Sequence, residues 1–501
     1  MTCMLCGLLG QIDRGLYPLI SLVIFIVLTP LINFILKDRV KYLGVWAAIS
    51  FLISLILSIL NIDYVLNNGP IEIAVIGSPI DSRLVIDLMG LFFTIIFLIV
   101  SLAAAIHSVS YMEHDKHLPS YYLLLQLMTT GLVGLTYAAD LFTFFVLWEL
   151  MAISSYVLVA FRYHLDEPVE AGVKYLLMSG LGSLIMLYGI SFVYGITGSL
   201  NIHLIIKMLP TAPITLLVFV LSLLLIGFGI KAAFFPFWTW LPDAHPAAPS
   251  PISAVLSGIV IKAGILGIIR FVVPAAGNLS YSLGISMAVV AALTMTVANL
   301  LALLQEDIKR LLAYSSITNI GFILIGISAA IYGSQISGIS SAILHTFSHA
   351  LGKGLAFLAV GAIIHTLKTR RISDIEGLGK VMPLTAASLI IALLGLAGMP
   401  PLPGFWSKWF LIYSSIEAGL WGLAVLGVLN SVLAVIFYLW LLQRVFFAEP
   451  TEVVLEKGAK ESIWIKISLI LLIAIMLIYG FYPQPFYNLA IKAAELFLQF
   501  I

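Results

Sequence analysis

Charge is scarce in this chain. Asp, Glu, Lys and Arg make up 10% of its 501 residues, where a soluble domain carries about 25%. Cysteine is scarcer still, with Cys3 and Cys6 the only two. A single C-x-x-C cannot ligate a structural metal, which wants four ligands, and cannot hold an iron–sulfur cluster. No glycine-rich phosphate loop is present. The expectation is therefore no cofactor, no metal and no redox or hydrolytic chemistry within the chain. A net charge of +1 gives no reason to expect a nucleic-acid partner. What is abundant is apolar surface: 61% of residues are hydrophobic and the mean hydropathy is +1.13. The solvent for most of this surface is a lipid bilayer. The first apolar stretch, Pro18 to Leu36, lacks a basic lead-in and a small-residue cleavage site, so it reads as a membrane helix and not as a cleaved signal peptide.

About 20 apolar residues cross a bilayer, and the sequence supplies fourteen such spans. They cover 18–36, 41–62, 84–110, 120–138, 141–161, 171–194, 214–240, 251–273, 280–303, 311–331, 338–365, 383–415, 420–443 and 463–481. The fold class is an all-α polytopic membrane protein. Ile71 to Leu84, β-branched around Gly77-Ser78-Pro79, predicts a small surface hairpin. Leu200–Leu209 and Tyr487–Phe500 read as short amphipathic helices at the interface. Loops after odd-numbered spans hold Lys37, Arg39, Lys41, Lys116, Arg162, Lys309, Arg310, Lys368, Arg370, Arg371, Lys380, Arg444, Lys457, Lys460 and Lys466. The other side holds only Arg14, Arg83, Lys207, Arg270 and Lys492. The basic side is cytoplasmic, which puts both termini outside a plasma or inner cell membrane.

Five lysines remain, and all fall within spans: Lys174, Lys231, Lys262, Lys353 and Lys408. Glu149, His345 and His349 do too. A charge at the centre of a membrane helix costs at least ~2.5–3.5 kcal/mol, so such residues face a wet path or one another. Lys174, early in its span, can instead snorkel to the interface. Glu149 is the one acidic residue placed well inside a span, and a structural ion pair is its plainer explanation. His345, His349 and Lys353 recur every four residues and so lie along one helix face. Two histidines at that spacing can grip a metal, but Lys353 is a poor third ligand. Groups that titrate near neutrality suit a proton relay better.

Two spans are broken beside a lysine. Pro236 follows Lys231 by five residues and opens the seventh span around Ala232. In the twelfth, Gly398-Met399-Pro400-Pro401-Leu402-Pro403-Gly404 cannot be regular helix, and Lys408 comes next. Irregular backbone at membrane depth survives only where protein or a wet cavity satisfies it. Paired breaks in corresponding positions point to an ion path built from repeats. Spans 4–8 and 9–13 are then the two copies, and the chain divides into 1–119, 120–273, 280–443 and 444–501.

The stretch Gly-Ile-Lys-Ala-Ala-Phe-Phe-Pro-Phe-Trp-Thr-Trp-Leu-Pro-Asp-Ala-His at 229–245 resembles the signature of the antiporter-like subunits of respiratory complex I. The same modules occur in Mrp-type cation/proton antiporters and in membrane-bound hydrogenases. Ser-Pro-Ile-Ser-Ala at 250–254, Gln-Glu-Asp-Ile-Lys-Arg-Leu-Leu-Ala-Tyr-Ser-Ser at 305–316 and Gly-Phe-Trp-Ser-Lys at 404–408 continue the match. The resemblance covers roughly residues 80–440. It implies two inverted five-helix repeats and a role for each buried group. Glu149 is similar to the acidic residue of the family's fifth helix, Lys231 to its partner on the seventh and Lys262 to the bridging lysine on the eighth. His345 and His349 match the relay of the eleventh helix, and Lys408 the terminal lysine of the twelfth. Asp243 and His245, inside the signature, are secondary candidates. The H-x-x-x-H-x-x-x-K run resembles the largest subunit type, yet the chain runs only a short way past the fourteenth span, without that type's long lateral helix.

The function expected is proton translocation, or exchange of protons for sodium, by one subunit among other membrane subunits of a complex. Opposite charges ~5 Å apart at an effective dielectric near 20 attract by roughly 3 kcal/mol. That is enough for a Glu149–Lys231 pair that closes and parts to load and unload a proton. Sodium wants several oxygen ligands, and one carboxylate amid lysines serves it poorly. The rival readings are a self-sufficient antiporter and a non-transporting scaffold for a redox module.

Overall fold

The computed structural model describes residues 13–77, 82–456 and 461–501. Cys3, Cys6, Lys457, Lys460 and the Ser78-Pro79 part of the expected hairpin turn lie outside the described residues. Within them the chain is helical almost throughout. Helices α1 (Tyr17–Leu36) and α2 (Leu43–Asn68) lead to strands β1 (Ile71–Ile76) and β2 (Ser82–Ile86). The strands pair antiparallel with Ile71 opposite Ile86. Then come α3 (Leu88–Tyr111), α4 (Leu118–Tyr137), α5 (Leu141–Val159), α6 (Asp166–Thr197) and the short α7 (Ile202–Met208). Next are α8 (Ile214–Ala232), α9 (Leu241–Ala247) and α10 (Ser250–Val272). After these follow α11 (Ser280–Ala302), α12 (Ile308–Tyr332) and α13 (Gln335–Leu367). The last are α14 (Pro383–Ala397), α15 (Pro403–Glu417), α16 (Trp421–Phe447), α17 (Glu452–Glu456), α18 (Ile463–Phe481) and α19 (Gln484–Phe500).

Among the described residues, 13 helices are long and apolar enough to cross a membrane. The expected twelfth span is two helices of 15 residues each, α14 and α15, divided by Gly398 to Leu402. The expected seventh span ends early. Its helix stops at Ala232, Ala233 takes a left-handed backbone, and 234–240 is irregular before α9. Gly229 makes this fold-back possible, since a Cβ there would lie 2.2 Å from the Phe234 ring. A second close approach joins α14 to α15, where a Cβ on Gly404 would lie 1.9 Å from the Gly395 carbonyl oxygen. The third span begins at Leu88, because 84–86 belongs to β2.

Acidic residues start several helices by accepting from free N–H groups. Asp87 takes Gly90 N at the head of α3, Asp140 takes Thr143 N at α5, and Asp307 takes Lys309 N and Arg310 N at α12. At the centre stand α10, α12 and α13, buried along almost their whole length. α13, with 33 residues, is long enough to overrun a bilayer core of ~30 Å. By contrast α1 and α2 present Val27, Leu31, Phe34, Ile56 and Leu60 outward, as a lipid-facing surface does. α19 carries its Ala490, Ala493, Ala494 and Phe497 inward against the bundle.

Two of the basic residues that sequence assigns to the membrane surfaces are buried. Arg270 lies inside α10, 1% exposed, and its Nη2 donates to Asp87 Oδ1 at 2.9 Å and Oδ2 at 3.1 Å. Lys309, in the first turn of α12, is 1% exposed and donates to Ala248 O at 2.6 Å. Both sit at span ends, where sequence gives no measure of depth.

A row of buried lysines and histidines

α8 carries Lys231 to the last turn before the break. Its ammonium donates to Tyr175 Oη at 2.8 Å and Ser179 Oγ at 3.3 Å, both from α6. Tyr175 is fixed in turn: its hydroxyl meets Ser155 Oγ at 2.8 Å and its ring stacks on Trp240, 4.1 Å away at 5°. Trp240 comes from the irregular segment after the break and donates at 2.9 Å to Ile230 O, a carbonyl that the break leaves with only a long backbone bond from Ala233 N at 3.3 Å. The break and the lysine's partners are thus one construction. Glu149, on α5, makes no ion pair with Lys231 here, and its Oε1 finds no hydrogen-bond partner among the described residues.

Lys262 sits in α10 between two π-type turns, 256–260 and 268–272. A π turn widens the helix by one residue and is frequent at functional sites. The Lys262 ammonium donates to Ser257 O, within the first of them. On α13, Lys353 donates to Leu312 O at 2.8 Å and Ser315 Oγ at 2.5 Å. The rings of His345 and His349 lie 6.3 Å apart and nearly parallel. His345 Nδ1 meets Ser407 Oγ at 2.9 Å. His345 Nε2 and both His349 nitrogens have no partner among the described residues. Lys408 caps the second break: its ammonium donates to Leu396 O and Ala397 O, both at 3.0 Å, and to Ser431 Oγ at 3.2 Å. It also lies 4.4 Å from the centre of the Phe322 ring.

The four lysines of this row share one property, and Lys309, bonded to Ala248 O and Pro246 O at the head of α12, shares it with them. Lys231, Lys262, Lys353 and Lys408 are each at most 4% exposed and each is held by neutral oxygens only. Pro236, Pro400 and Pro401 lie in the two breaks, with Phe235–Pro236 and Pro400–Pro401 both cis. Among the described residues no cluster of three or more His, Cys, Asp or Glu could hold a metal.

The secondary candidates separate. Lys174 is exposed, paired with Glu170 at 2.7 Å and Asp243 at 3.1 Å, so it snorkels out of the membrane. Asp243 also meets Arg310 at 3.5 Å, and Arg370 joins Glu167 at 2.9 Å to Asp307 at 3.2 Å. These groups line a cavity of about 370 Å³ at the end of the bundle that carries the basic loops. Burial works to lower the Arg370 guanidinium's hold on its proton, but Glu167 and Asp307 outweigh it and keep its pKa above the ordinary value. His245 lies inward of that cavity. It is fully buried, stacked on Phe357 of α13 at 4.7 Å, with neither nitrogen partnered among the described residues. Sequence reading missed the neutral partners Tyr175, Ser179, Ser315 and Ser407. Hydroxyls are ordinary in membrane helices, and only the packing of α6 on α8, of α12 on α13 and of α15 on α13 brings these to a lysine or, for Ser407, to His345.

Residues 138–434 match the transmembrane family of the NADH:quinone oxidoreductases and Mrp antiporters, and residues 73–122 match the N-terminus of chain 5 of NADH-ubiquinone oxidoreductase (complex I). Subunit N of the F(420)H(2) dehydrogenase of Methanosarcina mazei is 33% identical over 433 residues, 84% of this chain and 86% of that protein. Subunit N of the NADH-quinone oxidoreductase of Desulfitobacterium hafniense is 33% identical over 81% of this chain and 84% of its own length. A chain of the archaeal membrane-bound sulfane sulfur reductase superposes with a TM-score of 0.88 at 31% identity, covering 97% of this chain and 98% of that one. A chain of the Mrp complex from a Dietzia species has the same fold, with a TM-score of 0.86 at 24% identity over 96% of each chain. This chain belongs to the transmembrane family shared by the NADH:quinone oxidoreductases and the Mrp antiporters.

Proposed function

We propose that this chain is a proton-translocating subunit of a multisubunit membrane complex, carrying protons along Glu149, Lys231, Lys262, His345, His349, Lys353 and Lys408. The observation that carries the reading is the set of four buried ammonium groups held by neutral oxygens. A buried charge is costly, and a stability device would bring a carboxylate to each. A lysine facing carbonyls and hydroxyls can instead take up and release a proton as its surroundings change. Lys231 and Glu149 stand apart in the present arrangement. Swinging the ammonium from Tyr175 to the carboxylate would add roughly 3 kcal/mol of attraction at ~5 Å, a switch that loads the lysine when closed and frees its proton when open.

The two breaks, each next to such a lysine, support a division into repeats at 120–273 and 280–443, flanked by 1–119 and 444–501. The lysine and arginine bias of the loops supports a cell-membrane orientation with both termini outside. The relatives are named as subunits of larger complexes, which supports membrane partners here too.

Inside-out vesicles carrying the assembled complex, energised by the reaction that drives it, should acidify internally, read with a pH-gradient dye. Glu149→Gln and Lys231→Ala should each lower the initial rate about tenfold or more. Unchanged rates would leave the chain a scaffold. The chain alone in liposomes should show no exchange of cations for protons, and exchange there would make it a self-sufficient antiporter.

A further inference from the structure

The polar row on α13 does not stop at Lys353. Four residues on is Phe357, and the His245 ring of α9 lies against it. Four further is Gly361, and the missing side chain admits His107 of α3. A Cβ on Gly361 would sit 3.0 Å from His107 Nε2 and 2.9 Å from Ser250 Cβ. Four further again is His365, half-buried in the last turn of α13. Each step of four advances about 6 Å and turns about 40°. The row therefore winds about half-way round α13, and neighbouring helices supply the rings where α13 has none. From His345 to His365 one titratable group stands at every level, over about 30 Å.

Hydrogen bonding settles which nitrogen of His107 holds its proton. Ser468 Oγ lies 3.1 Å from Nδ1, and that hydroxyl already donates to Ile465 O at 2.7 Å. A hydroxyl has one hydrogen, so Nδ1–H donates to Ser468 and Nε2 presents a lone pair. Nε2 has no partner among the described residues although His107 is fully buried. A bare buried acceptor costs about 1–3 kcal/mol, which a purely structural histidine has no reason to bear. Beside it Ser250 Oγ donates to Tyr111 Oη at 3.2 Å. The Tyr111 ring lies between the two histidines, 5.8 Å from His107 and 5.9 Å from His365. Lys368, Glu113, His114 and Arg162 supply the charge around His365 at the cytoplasmic surface.

We propose that His365, Tyr111 and His107 form a cytoplasmic uptake leg that feeds protons through His245 to Lys353. The proposal rests on the proton-moving function above. A proton leaves cytoplasmic water for the His365 imidazole and crosses by the Tyr111 hydroxyl, which gains one hydrogen as it gives one up. It lands on the His107 Nε2 lone pair, making an imidazolium with N–H on both sides. The same Nε2–H proton then passes on to a free nitrogen of His245 and to the neutral amine of Lys353. Only N–H and O–H bonds form and break, and nothing is oxidised or reduced.

The deciding variant is His365→Ala, because the ring is half exposed and can be lost without opening the core. In inside-out vesicles carrying the assembled complex it should pump about tenfold more slowly or worse. Imidazole added to the medium, which bathes the cytoplasmic face, should restore most of the rate. A loss that imidazole does not restore marks a structural role and overturns the proposal, as does a wild-type rate. Gly361→Ala, which fills the space before Nε2, should slow pumping without rescue by imidazole, and pumping at full rate would count against the leg. Nitrogen NMR of labelled histidine should find His107 protonated at Nδ1, and the opposite tautomer would remove its lone pair from the path. Glu149→Gln and Lys231→Ala run alongside keep the two ideas apart. If they stop pumping while His365→Ala pumps normally, only the uptake leg is wrong. If they pump normally, the function itself is wrong and the leg falls with it.

Discussion

A lysine held by neutral oxygens differs in kind from one locked to a carboxylate. Lys408 donates to two carbonyls and a hydroxyl, all of which can also accept, more weakly, from a water or a neutral amine. Deprotonating it therefore strands no bare negative charge. This makes the carrier role separable from the positive charge. Arginine keeps the charge but does not release its proton in a protein. Lys408→Arg and Lys231→Arg should therefore lose pumping about as completely as the alanine variants, by about tenfold or more, while the complex still assembles. Pumping retained by either arginine variant would mean that the charge alone matters. At the same scale Tyr175→Phe keeps the stack on Trp240 but deletes one of the two acceptors of Lys231. The rate should change while assembly does not, and a wild-type rate would make Ser179 the sufficient partner.

At the scale of helices, both breaks free carbonyls and both use a nearby donor to cover them. Trp240 covers Ile230 O after α8, and Lys408 covers Leu396 O and Ala397 O after α14. The second break depends on two backbones touching at Gly404. A methyl group there meets the Gly395 carbonyl at 1.9 Å, so Gly404→Ala should destabilise the folded protein by at least about 1–3 kcal/mol, measured as a lower melting temperature in detergent. These breaks were legible in sequence because proline and glycine act on the local backbone whatever surrounds them. The spans and the buried lysines were legible because a charge in a long apolar run needs no partner to be noticed. What covers each charge was not legible. Tyr175 lies 56 residues from Lys231, and nothing along the chain marks one tyrosine as its neighbour. Arg270, four residues before Pro274 at the end of its span, reads as a surface residue, yet it is buried among the π-type turns that carry the helix to Val272. His107 is a lone histidine in an apolar run, and its relation to Gly361 exists only once α3 packs on α13.

For the molecule as a whole, the end opposite the basic loops is tied by a buried ion pair. Arg270 Nη2 reaches both oxygens of Asp87 and also Thr136 O at 3.0 Å, so it joins the head of α3, the tail of α4 and the tail of α10. The Phe497 ring of α19 lies 6.0 Å from the guanidinium and covers it from outside. Both partners are at most 2% exposed. Removing one partner of such a pair leaves an uncompensated buried charge and costs about 3–5 kcal/mol, whereas replacing both with apolar groups of similar volume is often neutral. Asp87→Ala should therefore lower the melting temperature and the yield of folded protein, and Asp87→Leu with Arg270→Met should recover most of both. The pair touches none of the residues of the proton row, so the recovered double variant should also pump. A double variant that folds but does not pump would instead draw Arg270 into the proton path, as a further buried cation beside the lysines.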